Sequence, residues 1–145
     1  MEIRVTGVDD PSWAGTPGAL APALSAVTPR PDHPEWDTAV WLDVLTLPGT
    51  PGAHRFYRDL ERALFTAFDG TDRSALRVEW SKGWAYTDEA AWSDAEVIGH
   101  RIPGGFPAGP GNAGWEATLA TLRGLDPHGV LESPLLRDLM GPGSP

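Results

Sequence analysis

Two charged residues, Glu2 and Arg4, stand two positions apart at the start of the sequence. If this segment is a strand, the two side chains lie on one face, with roughly 7 Å between their Cα atoms. In a desolvated pocket the pair would hold Arg4 as a permanent cation and Glu2 as a carboxylate. In water the same pair would contribute little. We take both residues as candidate catalytic groups, with a solvent-exposed pair as the alternative.

A third candidate is Asp43, the single charged residue in the apolar run 38–47, TAVWLDVLTL. A carboxylate in an apolar strand needs a cationic partner, or its pKa rises. Arg4 would be that partner if the two strands are neighbours. Asp43 is then a site acid or hydrogen-bonding group, and an edge position that reaches water is the equal alternative.

Aromatic side chains gather in the segment 77–86, RVEWSKGWAY. With Trp41, the residues Trp80 and Trp84 could form the flat walls of an apolar pocket, and we take these three as candidate substrate-binding residues. The alternative is that the aromatics anchor the loop that follows a strand. The four histidines are scattered and cysteine is absent, so no metal site is expected and thiol catalysis is excluded.

The pattern of apolar residues predicts an α+β fold, because a strand, a helix and a strand follow one another as in a split unit of an α+β sandwich. Strands are expected at 2–8, 38–47 and 75–81, with the second in the middle of the sheet because both its faces are apolar. The Pro-rich segment 9–34 should be a long loop with a short helix near 19–27, and 101–112 should be loop. Helices are expected at 53–68, 89–98, 115–125 and 135–140. In the first of these helices the expected apolar stripe is Phe56, Leu60, Leu64 and Phe68, with Glu61 on another face.

The chain has 145 residues and a formal net charge of -9. So acidic a surface disfavours nucleic acid and anionic membrane surfaces as partners. No apolar run is long enough to span a bilayer, and the first residues lack the basic head and apolar run of a signal peptide. We therefore expect a cytoplasmic location for this form of the chain.

Three stretches of the sequence resemble the bacterial cholesterol oxidases of the vanillyl-alcohol oxidase type. They are RVEWSKGW at 77–84, WLDVL at 41–45 leading to PGTPG at 48–52, and LDPHGV at 125–130 followed by SPLL at 133–136. The resemblance covers nearly the whole chain. It implies part of a substrate-binding cap domain, an antiparallel sheet with flanking helices, plus the C-terminal helices of such an enzyme.

Enzymes of this kind use FAD and O₂ to oxidise the 3-hydroxyl of a sterol, with isomerisation of a double bond. The resemblance implies a Glu-x-Arg pair at the active site that stabilises the substrate oxygen and gates an oxygen channel, and Glu2 and Arg4 match it. It also implies an asparagine on the later strand, where this chain has Asp43. A carboxylate there cannot donate a hydrogen bond unless it is protonated.

The resemblance leads us to expect a single partial domain over residues 1–145, without the FAD-binding domain. The strand that begins one residue after Met1 is typical of a chain started at an internal methionine. FAD would be held by a missing domain or by a flavin-binding partner, and the ligand would be a hydrophobic polycyclic molecule such as a sterol. The alternatives are a stand-alone, cofactor-free small-molecule binder, a cyclase or isomerase of secondary metabolism, and a remnant without activity.

Overall fold

Two strands, β1 (Glu2–Gly7) and β2 (Thr38–Asp43), pair antiparallel into a two-stranded sheet. The computed structural model describes residues 1–141, and within them four α-helices join this sheet in an α+β fold, as the sequence predicts. The first strand lies where it is expected. The second is shorter than expected, because it ends at Asp43 rather than at Leu47.

The two faces of this sheet differ in chemistry. Directly opposite residues share a face, so Glu2 and Arg4 lie on the same side as Asp43 and Trp41. We call this side the polar face. The other side, the apolar face, consists of Ile3, Val5, Val40 and Leu42.

The polar face turns toward the body of the chain, and the apolar face is exposed. Trp41 and Asp43 are partly buried. Ile3 and Val5 on the apolar face are 57% and 71% exposed, and Val40 is 57% exposed. This orientation reverses the usual arrangement, in which the apolar side of a sheet packs on the core.

Helix α1 (Ala53–Phe68) has the bounds that the sequence predicts. Three further α-helices follow: α2 (Ile102–Gly104), α3 (Gly114–Leu125) and α4 (Pro134–Met140). Ser133 caps α4, since its Oγ accepts a hydrogen bond from the N–H of Leu136 at 3.2 Å. None of the helices within residues 1–141 has the length and apolar character that crossing a bilayer requires.

The core lies in the second half of the chain. Its most completely buried large side chains are Trp84, Ile102, Phe106 and Leu119. Phe65 of α1 and Leu139 of α4 join the same cluster. The sheet contributes no residue to this cluster, so other contacts connect the two strands to the rest of the chain.

Arg77 fastens the long N-terminal loop to the core. Its Nε donates to the carbonyl of Gly105 at 2.6 Å, and its Nη1 donates to the carbonyls of Ala26, at 3.4 Å, and Thr28. The guanidinium also lies over the ring of Phe106, with Cζ 5.5 Å from the centroid. Burial lowers the pKa of Arg77 to about 10.

Five predicted elements are corrected by the structure. The strand expected at 38–47 does not lie in the middle of a sheet, since among the described residues β1 is its single neighbour. The strand expected at 75–81 is extended chain without a strand partner, because its apolar side chains pack on the core instead of beside a strand edge. The segment 19–27 forms turns rather than a helix.

The expected loop 101–112 starts in helical conformation. A π-helical turn (Val97–Arg101) runs directly into α2, and the helix predicted at 89–98 is therefore displaced toward the C-terminus. Ile102 is almost fully buried, so packing on the core favours helix here despite the following Pro and Gly residues. Pro103 occupies the first turn of α2, where a proline is tolerated.

Candidate functional site

A cavity of about 560 Å³ lies between the polar face of the sheet, helix α1 and the segment 73–86. Trp41 and Asp43 line it from β2, and Leu60 and Leu64 line it from α1. Leu76, Val78 and Trp84 complete much of the apolar wall. The volume is in the range of sites that take a drug-sized or steroid-sized ligand.

A row of alternating charges stands beside this cavity. Arg4 Nε lies 3.4 Å from Glu2 Oε1, and Arg4 Nη2 donates a hydrogen bond to Asp43 Oδ2. Lys82 Nζ lies 3.3 Å from the other carboxylate oxygen, Asp43 Oδ1. We call these four residues the charge row.

Asp43 is the anionic centre of the charge row. The hydrogen bond from Arg4, and after it the one from Lys82, holds the pKa of Asp43 below its usual value. Its side chain is 19% exposed, whereas that of Arg4 is 50% exposed. Asp43 is therefore ionised at neutral pH and can accept hydrogen bonds but not donate them.

Arg4 is the candidate electrostatic group. It is a permanent cation, and its guanidinium Cζ lies 5.9 Å from the ring centroid of Trp41, which lines the cavity. Held between Trp41 and Asp43, the guanidinium can stabilise negative charge that develops on a ligand oxygen. Neither Arg4 nor Glu2 is among the residues that line the cavity, and Glu2 is 64% exposed.

The three predicted substrate-binding tryptophans divide into two groups. Trp41 and Trp84 line the cavity, and Trp84 is almost fully buried with its Nε1 donating to the carbonyl of Trp80 at 2.7 Å. Trp80 packs against the core instead, and its Nε1 donates to the carbonyl of Leu24 at 2.7 Å. Trp41 and Trp84 therefore line the cavity, and Trp80 does not.

Two polar residues of the cavity are absent from the sequence-based prediction. Lys82 comes next to Asp43 only through the tertiary fold, and no spacing in the sequence indicates this pair. Glu61 is expected on an outer face of α1 but lines the cavity. A stripe at i, i+3, i+4, i+7 and i+8 would have found it, since these positions are Tyr57, Leu60, Glu61, Leu64 and Phe65.

The apolar stripe of α1 is consequently rotated relative to the prediction. Phe56 and Phe68, which we expected to face inward, are 48% and 47% exposed, and Phe65 is buried. Burial raises the pKa of Glu61 to about 7. The side chain thus stands in the cavity wall as a carboxyl group that titrates near neutral pH.

The described residues do not fit a diphosphate group such as that of FAD. Gly104 is the last residue of α2 and Gly105 follows it, so neither glycine comes after a strand. The N–H of Gly105 already donates to the carbonyls of Arg101 and Ile102, both at 3.1 Å. Arg77 donates from Nε and Nη1 to backbone carbonyls, and its buried Nη2 has no hydrogen-bond partner among the described residues. Within residues 1–141 no three potential metal ligands come together either.

Comparison with known proteins identifies the family. The model for the family described as "Cholesterol oxidase, substrate-binding" matches residues 1–141. The solved structure of a solvent-stable cholesterol oxidase is 55% identical, with a TM-score of 0.88 over 95% of this chain and 26% of that one. Cholesterol oxidase from B. sterolicum is 34% identical, with a TM-score of 0.86 over 95% of this chain and 25% of that one. A search of curated proteins gives no significant match. This chain spans about a quarter of the length of those two oxidases, and it belongs to the cholesterol oxidase substrate-binding family.

Proposed function

We propose that this chain forms the substrate-binding wall of an FAD-dependent oxidase that converts a secondary hydroxyl of a sterol to a ketone with O₂. Without a flavin-binding partner it is inactive. The observation that carries the proposal is the charge row, which stands beside an apolar cavity lined by Trp41 and Trp84. Family membership supports a sterol as the ligand.

The cavity would bind the ring system of the sterol. Trp41 offers flat aromatic surface, and Leu60, Leu64 and Val78 offer aliphatic surface. Burial of a rigid apolar ligand against such walls releases water and fixes few rotatable bonds. A hydrophobic polycyclic molecule therefore suits the cavity better than a flexible polar one.

Arg4 would act on the oxygen of the substrate. As the hydroxyl loses its proton and the carbon is oxidised, negative charge on the oxygen is stabilised by a fixed cation. Asp43 is ionised between Arg4 and Lys82, so its role is to fix the guanidinium rather than to donate a proton. FAD, when bound, supplies the acceptor for the hydride.

A flavin-binding partner would cover the apolar face of the sheet. Ile3 and Val5 of this face are more than half exposed, and Leu42 is 37% exposed beside them. Contiguous exposed apolar side chains mark surfaces that bind other protein. The lack of a fitting diphosphate site among residues 1–141 also supports placing FAD on a missing domain or a separate chain. We propose accordingly that 1–145 is a single partial domain.

Reconstitution tests this function. The chain is mixed with the flavin-binding portion of a related cholesterol oxidase, and the complex is isolated and assayed for peroxide formation from cholesterol. We expect a yellow complex in which Arg4→Ala lowers kcat/KM by about 100-fold, the effect of losing one charge-stabilising group. Arg55→Ala on the exposed side of α1 is the control and should leave the rate unchanged. Oxidation by the chain alone, or full activity of Arg4→Ala, would refute the proposal.

The second candidate is a stand-alone, cofactor-free protein, either a small-molecule binder or a cyclase or isomerase of secondary metabolism. Residues 1–141 contain a core cluster and a cavity, which a binder of this class requires. Complete folding, tight sterol binding and no association with the flavin-binding portion would select it. Cytoplasmic location stays a prediction, which fractionation of expressing cells would test.

A further inference from the structure

Glu61 is a carboxyl group in an otherwise apolar part of the cavity wall. It lies on the inward stripe of α1, one turn from Tyr57 and one turn from Phe65, with Leu60 and Leu64 beside it. The charge row does not include it. No described cation forms an ion pair with it, whereas Asp43 has two such partners.

One end of the carboxyl group is fixed by the backbone. Glu61 Oε2 accepts a hydrogen bond at 2.9 Å from the N–H of Ala85. Ala85 is fully buried and has a left-handed φ of 55°, which alanine rarely adopts. The contact therefore holds the carboxyl group at a defined place in the wall. No described side chain donates a hydrogen bond to it.

We infer that Glu61 is a specificity-determining residue, which forms a hydrogen bond with a second oxygen substituent of the apolar ligand, distinct from the hydroxyl assigned to Arg4. This inference rests on the proposed function and deepens it. Apolar walls select a ligand by bulk and shape but do not distinguish an alcohol or ketone from a hydrocarbon. A partly desolvated carboxyl group without a side-chain partner does distinguish them. An alcohol or ketone forms a hydrogen bond with it, whereas a hydrocarbon displaces its water and offers no hydrogen bond in return.

The ligand class follows from the charge state of the site. Burial places the pKa of Glu61 at about 7, so the neutral acid and the carboxylate are both populated near neutral pH. The acid donates to a ketone or hydroxyl oxygen, and the carboxylate accepts from a hydroxyl. An anionic ligand group would be repelled by the carboxylate.

Neighbouring groups that act on this titration come from both packed segments. On α1 the group is Arg62, which favours the carboxylate. On the segment that carries Ala85 they are Asp94, which disfavours the carboxylate, and the N–H of Tyr86, which favours it. The phenol of Tyr86 also faces Glu61, since burial, and after it the nearby Tyr57 and Glu61, raises the pKa of Tyr86. Arg58 on the preceding turn is occupied by Asp59 and Asp88.

The test compares two ligands on the intact chain. The probes are a fluorescent sterol that carries a second hydroxyl besides the one assigned to Arg4, and dehydroergosterol, its analogue without that second oxygen. Glu61→Leu should weaken binding of the dihydroxy sterol by about tenfold, the effect of one hydrogen bond, and leave the analogue unchanged. Equal weakening of both ligands, or no change for either, would overturn the inference.

Glu61→Gln separates recognition from folding, because the amide oxygen can still accept the hydrogen bond from Ala85. The native chain should show an affinity for the dihydroxy sterol that changes with pH around 7. Glu61→Gln should fold normally, retain most of the affinity and lose this pH dependence. A pH dependence that persists in Glu61→Gln would overturn the inference. Glu116→Gln, on an exposed position of α3, is the matched control and should behave as the native chain.

The result also separates this inference from the proposed function. If the native chain binds neither probe, both are wrong. If it binds the dihydroxy sterol and the analogue equally well, and the Glu61 variants do the same, the sterol site stands and the role of Glu61 is refuted.

Discussion

Arg4 and Asp43 are diagonal neighbours on the polar face of the sheet. Arg4 lies directly opposite Trp41, and Asp43 lies directly opposite Glu2, yet the guanidinium reaches across to the carboxylate. Lys82 binds the second oxygen of the same carboxylate from a different segment. Asp43 therefore connects the two-stranded sheet to the segment of Lys82, and it orients Arg4 beside the cavity.

Arg4 and Asp43 should be energetically coupled, but weakly. Since Arg4 is half exposed, a double-mutant cycle with Arg4→Ala and Asp43→Ala should give a small, favourable coupling at low salt, as is usual for an ion pair that solvent reaches. Urea unfolding of the four variants measures it, and the coupling should decrease as salt is added. Absence of coupling at low salt would show that the pair does not form in solution.

Glu61 should make the chain less stable as pH rises. Its pKa is raised from 4.5 to about 7, so the folded state binds the proton more tightly than the unfolded state. Stability is greatest below the unfolded pKa and decreases as pH rises toward 7. Because the side chain is partly exposed, we discount the full shift and expect a loss on the order of 1–2 kcal/mol.

Urea unfolding between pH 4.5 and 7.5 checks this expectation against Glu61→Gln, which cannot titrate. The difference in free energy of unfolding between the native chain and the variant should change across this range. A constant difference would mean that the carboxyl group is not desolvated.

Gly114 should tolerate no side chain. Its φ is +72°, and a Cβ would lie 2.7 Å from the backbone nitrogen of Ala108. Gly114→Ala should therefore reduce the free energy of unfolding by about 2–4 kcal/mol, through strain and displacement of the preceding loop. Gly124→Ala in the same helix is the control. A Cβ there meets nothing within 4 Å, so this change should be neutral or stabilising by about 0.5–1 kcal/mol. Similar effects of the two substitutions would contradict the helix start at Gly114.

Arg77 should be replaceable by neither lysine nor methionine. Methionine fills similar space but leaves the carbonyls of Gly105 and Thr28 without their donor, which should cost about 2–4 kcal/mol. Lysine carries one nitrogen and cannot reproduce the fork of the guanidinium. Thermal or urea unfolding measures both, with the exposed Arg55→Met as the control. Full stability of Arg77→Lys would show that charge alone, and not the set of hydrogen bonds, holds the loop.

Local pattern predicted some elements and not others. Helix α1 was predictable to the residue because its propensity and its turn residues agree, and α3 was predictable to within one residue. Apolar and charged residues alternate in the segment 75–81, as they do in a strand. A strand also needs the edge of another strand to pair with, and the sequence does not reveal whether one is present. The apolar side chains of this segment pack against the core cluster instead.

The contacts of the candidate site were also predictable only in part. The contact of Arg4 with Asp43 was predictable as a consequence of strand pairing, because a charge in an apolar strand requires a partner. Lys82 and Glu61 were not identified, because each enters the cavity through long-range packing and each looks like an ordinary surface charge in its own segment.

Sterol binding by the chain tests the central claim most directly. Dehydroergosterol is titrated into the chain while energy transfer from tryptophan to the sterol is recorded. We predict saturable transfer at one sterol per chain, reduced by Trp41→Phe in the cavity wall but not by Trp13→Phe, whose ring is 75% exposed and outside the cavity. Absence of saturable transfer, or an equal reduction by both substitutions, would contradict a sterol site in this cavity.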